Sequence, residues 1–80
     1  MSNEKIAKLR WSCRRGMLEL DLLLLPFLEK VFPNLLADKQ VIFERLLACT
    51  DQDLYGWLIG HVQPDDPELA MLINRVRSGV

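Results

Sequence analysis

Arg15 and Glu19 stand four residues apart around Gly16, within the run Arg14-Arg15-Gly16-Met17-Leu18-Glu19-Leu20-Asp21. On an unbroken helix such a pair would contribute only about 0.3 kcal/mol, and arginine before glutamate is the weaker order. Stability therefore explains the pair poorly. A mixed-charge patch with apolar neighbours suits protein recognition better, through charge-assisted hydrogen bonds. The glycine between them costs a helix interior roughly 1 kcal/mol relative to alanine. It can end one helix and let the chain turn into the next, which is the commoner job of a lone glycine. It can also keep a surface bare so that another backbone approaches while Arg15 and Glu19 flank the contact.

Other chemistry is sparse. An enzyme needs a nucleophile with a base, a metal cluster or a phosphate cradle. His61 is the single histidine, beside Gly60 with no cysteine or acid at ligand spacing, and it reads as a solvated side chain. The four glycines are isolated, so no phosphate-binding loop is formed. Cys13 and Cys49 make no CxxC and lie far apart; they read as small buried hydrophobes in a reducing compartment. Asp51, Asp53, Asp65 and Asp66 are best explained as helix caps. No catalytic residue, metal ligand or cofactor-binding residue is expected.

The 80 residues make one domain, 1–80, near the lower size limit for a single core. Half of them are hydrophobic. Ten basic against eleven acidic residues, for a net charge of −1, argue against nucleic-acid binding. The longest apolar run, Leu22 to Leu28, contains Pro26 and falls far short of the ~20 residues that span a bilayer. The N-terminal stretch has no apolar signal region, so a cytoplasmic protein without membrane insertion is expected.

Five helices and no strand can be read along the chain, giving an all-α compact bundle. The first covers residues 4–14, with Ile6, Leu9 and Cys13 on one face. Trp11 lies off that face, as a packed edge residue or as an exposed anchor for a partner. The second covers 17–32, with Met17, Leu20, Leu24, Phe27, Leu28 and Val31 as its core stripe. Leu18, Leu22, Leu23 and Leu25 do not fit the stripe, so this helix is either central or covers a partner. Pro26 should bend it. Glu19 stands on the face opposite the stripe, one turn before Leu22 and Leu23. The third begins near Asp38 and buries Ile42, Phe43, Leu46, Leu47 and Cys49, with Glu44 and Arg45 facing away. The fourth starts with Thr50 or Asp51 as N-cap, buries Leu54, Trp57 and Leu58, and stops at Gly60. The fifth opens at Asp66-Pro67-Glu68 and is lined by Leu69, Leu72, Ile73 and Val76. Short loops predict that consecutive helices are near-antiparallel neighbours.

Three blocks in this order resemble a known family. Trp11-Ser12-Cys13-Arg14-Arg15-Gly16-Met17-Leu18-Glu19-Leu20-Asp21 resembles the RGxxE signature of the SdhE-type flavinylation factors, the succinate dehydrogenase assembly factors of bacteria and mitochondria. Pro26-Phe27 and Ile42-Phe43-Glu44-Arg45-Leu46-Leu47 follow at the family's distances. Asp51-Gln52-Asp53-Leu54-Tyr55-Gly56-Trp57-Leu58 is similar to its D-x-D-L-x-x-W segment. The similarity extends from about Lys8 to Val76. The chain stops at Val80, where some relatives carry a longer polar tail, so no role of such a tail transfers.

The resemblance implies an assembly chaperone rather than an enzyme. Family members promote covalent attachment of FAD to a histidine of the succinate dehydrogenase flavoprotein subunit, and in some bacteria of fumarate reductase. It implies a client-binding set of Arg15, Gly16 and Glu19, with Trp11 or Asp21 supporting the edge of the contact. FAD is then the client's cofactor, and none is expected to stay on this chain. A monomer is expected, with a dimer through the spare leucines as the alternative. The family has also been labelled antitoxin-like, which implies a different partner, a membrane toxin or a cytoskeletal target.

Overall fold

The computed structural model describes residues 3–78, which form α1 (Asn3–Cys13), α2 (Leu18–Lys30), a 3-10 turn (Phe32–Asn34), α3 (Ala37–Leu47), α4 (Asp51–Leu58) and α5 (Pro67–Ser78). The expected five-helix, all-α architecture is the one observed, with no strand among the described residues. No described helix is long and apolar enough to cross a membrane.

The apolar spacing decides which faces meet. Leu9 and Cys13 of α1, then Leu20, Leu24, Phe27 and Leu28 of α2, enter one core with Phe32. Ile42, Phe43, Leu46 and Leu47 of α3, Leu54 and Leu58 of α4, and Leu69, Leu72, Ile73 and Val76 of α5 complete it. Phe43 lies at its centre, fully buried. Its ring stacks on Phe27 at 5.3 Å between centroids and meets Phe32 at 5.4 Å, geometry that favours aromatic pairs beyond their area alone. The spare leucines of α2 divide: Leu23 and Leu25 pack against the core's edge, while Leu18 and Leu22 are left exposed.

Several expectations shift in detail. The second helix ends at Lys30, two residues short of the expected Phe32. Pro33 disfavours α geometry at the residue before it, and the chain tightens there into the 3-10 turn, with Asn34 N–H donating to the Val31 carbonyl at 3.0 Å. Among consecutive helices, α1 with α2 and α4 with α5 do pack together, but α3 lies chiefly against α1 and α5. The fourth helix stops at Leu58, and the left-handed residue after it is His61 (φ 62°), not Gly60. Gly60 serves another need: a Cβ there would stand 3.1 Å from the Gly56 carbonyl oxygen, a tight contact that the missing side chain avoids. Trp57 and Cys49, both expected inside, are only half-buried.

Charged side chains stitch the helices from outside. Arg45 of α3 is exposed but reaches Asp66 and Glu68 at the start of α5. Its hydrogen bond holds the Asp66 carboxyl below the usual carboxylate range, and the other Asp66 oxygen accepts the Glu68 N–H at 2.9 Å, capping α5. Lys5 of α1 pairs with Glu44 of α3 at 3.3 Å.

Burial gives the two cysteines different reactivity. The Cys13 thiol is fully enclosed and pushed up to about 12, chiefly by desolvation, with Arg15 pulling it down and Asp21 pushing it up. So raised, the Cys13 thiol stays protonated at pH 8. Cys49 is also raised by burial, yet it is half-buried rather than enclosed. Iodoacetamide at pH 8 should therefore label Cys49 first and reach Cys13 only on unfolding. Equal labelling of both in the folded protein, read by mass spectrometry, would contradict the packing described.

Candidate functional site: the Gly16 turn

The turn between α1 and α2 is built from Arg14 to Met17. The first helix closes after Cys13, with Arg14 N–H donating to the Trp11 carbonyl at 3.1 Å. Gly16 then takes φ 77°, a left-handed conformation that costs an L-residue roughly 1–2 kcal/mol. Met17 restarts the chain in an extended conformation as N-cap of α2, without a side-chain cap bond. Asp21, from the first turn of α2, reaches back over the turn, and its Oδ1 accepts the Arg15 backbone N–H at 2.9 Å.

Arg15 is the turn's anchor. Its side chain is largely covered, at 16 % exposure, and its guanidinium donates at four points. Nε reaches Asp51 Oδ1 at 2.7 Å. Nη1 donates to the carbonyls of Ser12 and Leu47, both at 2.9 Å, and Nη2 to that of Cys49 at 2.7 Å. Leu47 is the last residue of α3, where carbonyls without helical partners and the negative end of the helix dipole favour a cation. Asp51 opens α4, where the positive dipole end favours a carboxylate. Arg15 thus fills the gap between the end of one helix and the start of the next.

The sequence spacing suggested a surface pair between Arg15 and Glu19, and this pair does not form. Gly16 breaks the helix between them, so the i, i+4 geometry does not exist, and Arg15 turns inward to Asp51 instead. Glu19 is left exposed in the first turn of α2 with no hydrogen bond or ion pair among the described residues. Both readings of Gly16 are compatible with its geometry. It makes the turn, and its outer side is open, with no heavy atom within 4 Å of where a Cβ would stand.

Large apolar side chains near this turn in the chain are exposed among its charged ones. Trp11 is 75 % exposed, Leu18 67 % and Leu22 64 %, far beyond what packing against α1 or α2 would leave. Trp11 is thus an exposed side chain, not a packed helix edge. Leu18 and Leu22 are one turn apart on α2, with Glu19 beside them. Of the residues singled out from the sequence, Gly16, Glu19 and Trp11 are exposed, Asp21 is half-buried, and Arg15 is spent on internal bonds. Asp51 and the carbonyls of Leu47 and Cys49 were not foreseen as parts of the turn. No backbone carbonyl has a sequence signal, and Asp51 was absorbed into the capping pattern. The true cap is Thr50, whose hydroxyl accepts the Asp53 N–H at 3.1 Å.

The groups at the turn are the bound Arg15 guanidinium, the carboxylates of Asp21, Asp51 and Glu19, and apolar side chains. No cluster of three or more histidine, cysteine, aspartate or glutamate side chains suited to a metal occurs among the described residues.

The profile of the family described as the flavinator of succinate dehydrogenase matches residues 7–80. The FAD assembly factor SdhE of Shewanella oneidensis is 50 % identical over 72 residues, covering 90 % of this chain and 88 % of that protein. The protein of the same name from Coxiella burnetii is 47 % identical over 77 residues, 94 % of each chain. That of Pseudomonas aeruginosa is 43 % identical over 72 residues, 90 % of this chain and 86 % of its own. These matches over nearly the whole chain show that it belongs to the family of succinate dehydrogenase flavinators.

Proposed function

We propose that this chain is an assembly chaperone that docks through its Gly16 turn on the flavoprotein subunit of succinate dehydrogenase and promotes attachment of FAD to a histidine of that subunit. The observation that carries the reading is the open side of Gly16 beside an unpartnered Glu19, in a chain of the flavinator family. A client backbone can lie against the bare glycine. Glu19 offers a carboxylate for charge-assisted hydrogen bonds to the client, and Trp11, Leu18 and Leu22 supply apolar contact, tryptophan being a frequent anchor at interfaces. Arg15 and Asp21 serve from behind by fixing the turn's shape. FAD is here the client's cofactor, as membership of the flavinator family implies. The chaperone's share of the work is orientation, and holding reacting groups in line can supply several kcal/mol of a barrier.

Deletion of the gene, followed by in-gel fluorescence of the denatured flavoprotein subunit, tests this reading. The covalent-flavin band should vanish, return with the wild-type chain and stay absent or weak with Glu19→Ala. An unchanged band in the deletion strain would refute the proposal for this client and turn attention to fumarate reductase.

A further inference from the structure

The Arg15 side chain is held by one carboxylate, and that carboxylate comes from a distant part of the chain. Asp51 lies 36 positions beyond Arg15, at the first residue of α4, and its Oδ1 accepts the Arg15 Nε–H at 2.7 Å. The helix it opens does not need it as a cap, because Thr50 already accepts the Asp53 N–H. Nor does the helix dipole single it out, because Asp53 stands in the same first turn. What separates the two acids is contact: Asp51 touches Arg15, while Asp53 pairs with nothing on the α1–α2 turn.

We propose that Asp51 is a positioning residue for client docking, acting through Arg15 to hold the Gly16 turn in its docking shape. The inference rests on the docking reading given above. The three carbonyls on the guanidinium are neutral acceptors, and Asp51 is its sole ion-pair partner among the described residues. Without Asp51 the fork keeps its carbonyls but loses the bond at Nε, the nitrogen nearest the backbone and therefore the one that aims the side chain. The chain between that side chain and the bare glycine is a single peptide unit. A swing of Arg15 consequently turns Gly16, and with it the entry to α2 where Glu19 stands.

The test measures binding of the full-length chain to the apo flavoprotein subunit of succinate dehydrogenase for Asp51→Ala, Asp53→Ala, Arg15→Ala and the Arg15→Ala/Asp51→Ala pair. Loss of one hydrogen bond to a charged group predicts binding weaker by about tenfold or more for Asp51→Ala. Asp53→Ala removes the same charge from the same helix end and should bind as wild type does. On the Arg15→Ala background the Asp51 substitution should add nothing, because its effect passes through the missing guanidinium. Amide exchange at Gly16 and Met17 should rise in Asp51→Ala and stay unchanged in Asp53→Ala, a readout that general destabilisation of α4 would not produce. Equal binding by the two aspartate variants, or an Asp51 penalty that persists without Arg15, would overturn the inference. A Glu19→Ala chain that binds as wild type does would defeat the docking reading and the inference with it. A Glu19→Ala loss beside an unaffected Asp51→Ala would defeat the inference alone.

Discussion

Gly16→Arg is expected to abolish docking on the flavoprotein subunit while leaving the helical circular dichroism spectrum in place. The two halves of this expectation have separate causes. A Cβ at position 16 meets no internal neighbour within 4 Å, so the side chain leaves the backbone into open space. What it meets is the left-handed backbone at φ 77°, at a cost of roughly 1–2 kcal/mol. For a domain of this size each kcal/mol lowers Tm by about 4–8 °C, so the variant should be weakened but folded. The arginine then projects from the bare side of the turn, into the space a client backbone would take. Gly16→Ala separates the two effects: it carries the same backbone strain with one carbon of bulk. Its Tm should fall by a similar amount, while its docking is lost only in part. A melting curve with a pull-down on the apo flavoprotein subunit reads both. A Gly16→Arg chain without helical signal would mean that the position is needed for folding alone.

Arg15→Lys should behave as a loss, although it conserves charge. The guanidinium reaches Asp51 and the carbonyls of Ser12, Leu47 and Cys49 through three nitrogens spread in one plane. An ammonium has its three donors on one atom and cannot span that set. Two or more of these acceptors would be left to water or to nothing, in a place where the arginine is mostly covered. The cost should be about 1–3 kcal/mol, with Tm lower by roughly 5–20 °C. Docking should weaken too, since the turn loses its anchor. A melting temperature and client affinity equal to wild type would show that a point charge suffices and that the fork geometry is incidental.

The core was legible because it depends on spacing alone. The apolar positions of α2, α3 and α5 fall at helical intervals, and those residues are the ones enclosed, from Leu20 and Leu24 to Ile73 and Val76. Helix ends were less legible where backbone geometry decides them. Phe32 has the apolar character of the α2 stripe, but Pro33 takes it out of the helix; Gly60 looks like a stop signal, yet the left-handed turn falls on His61. At the candidate site the sequence marked the unusual backbone and misassigned how two of the charged residues pair. Glycine at position 16 marks a special backbone, and the structure has one there. The four-residue spacing of Arg15 and Glu19 implied a pair, but that inference assumes a helix through the very glycine that breaks it. Arg15 instead finds Asp51 from another helix, a contact of tertiary structure that local spacing cannot encode.

The most direct measurement is a time course of covalent flavin formation with purified components: the apo flavoprotein subunit, FAD, and the chain as wild type or Gly16→Arg. Wild type should accelerate appearance of the fluorescent denatured band, and Gly16→Arg, folded by circular dichroism, should leave the rate at that of the flavoprotein alone. Equal rates with and without the wild-type chain would contradict a docking chaperone, and acceleration by folded Gly16→Arg would contradict the Gly16 turn as its docking surface.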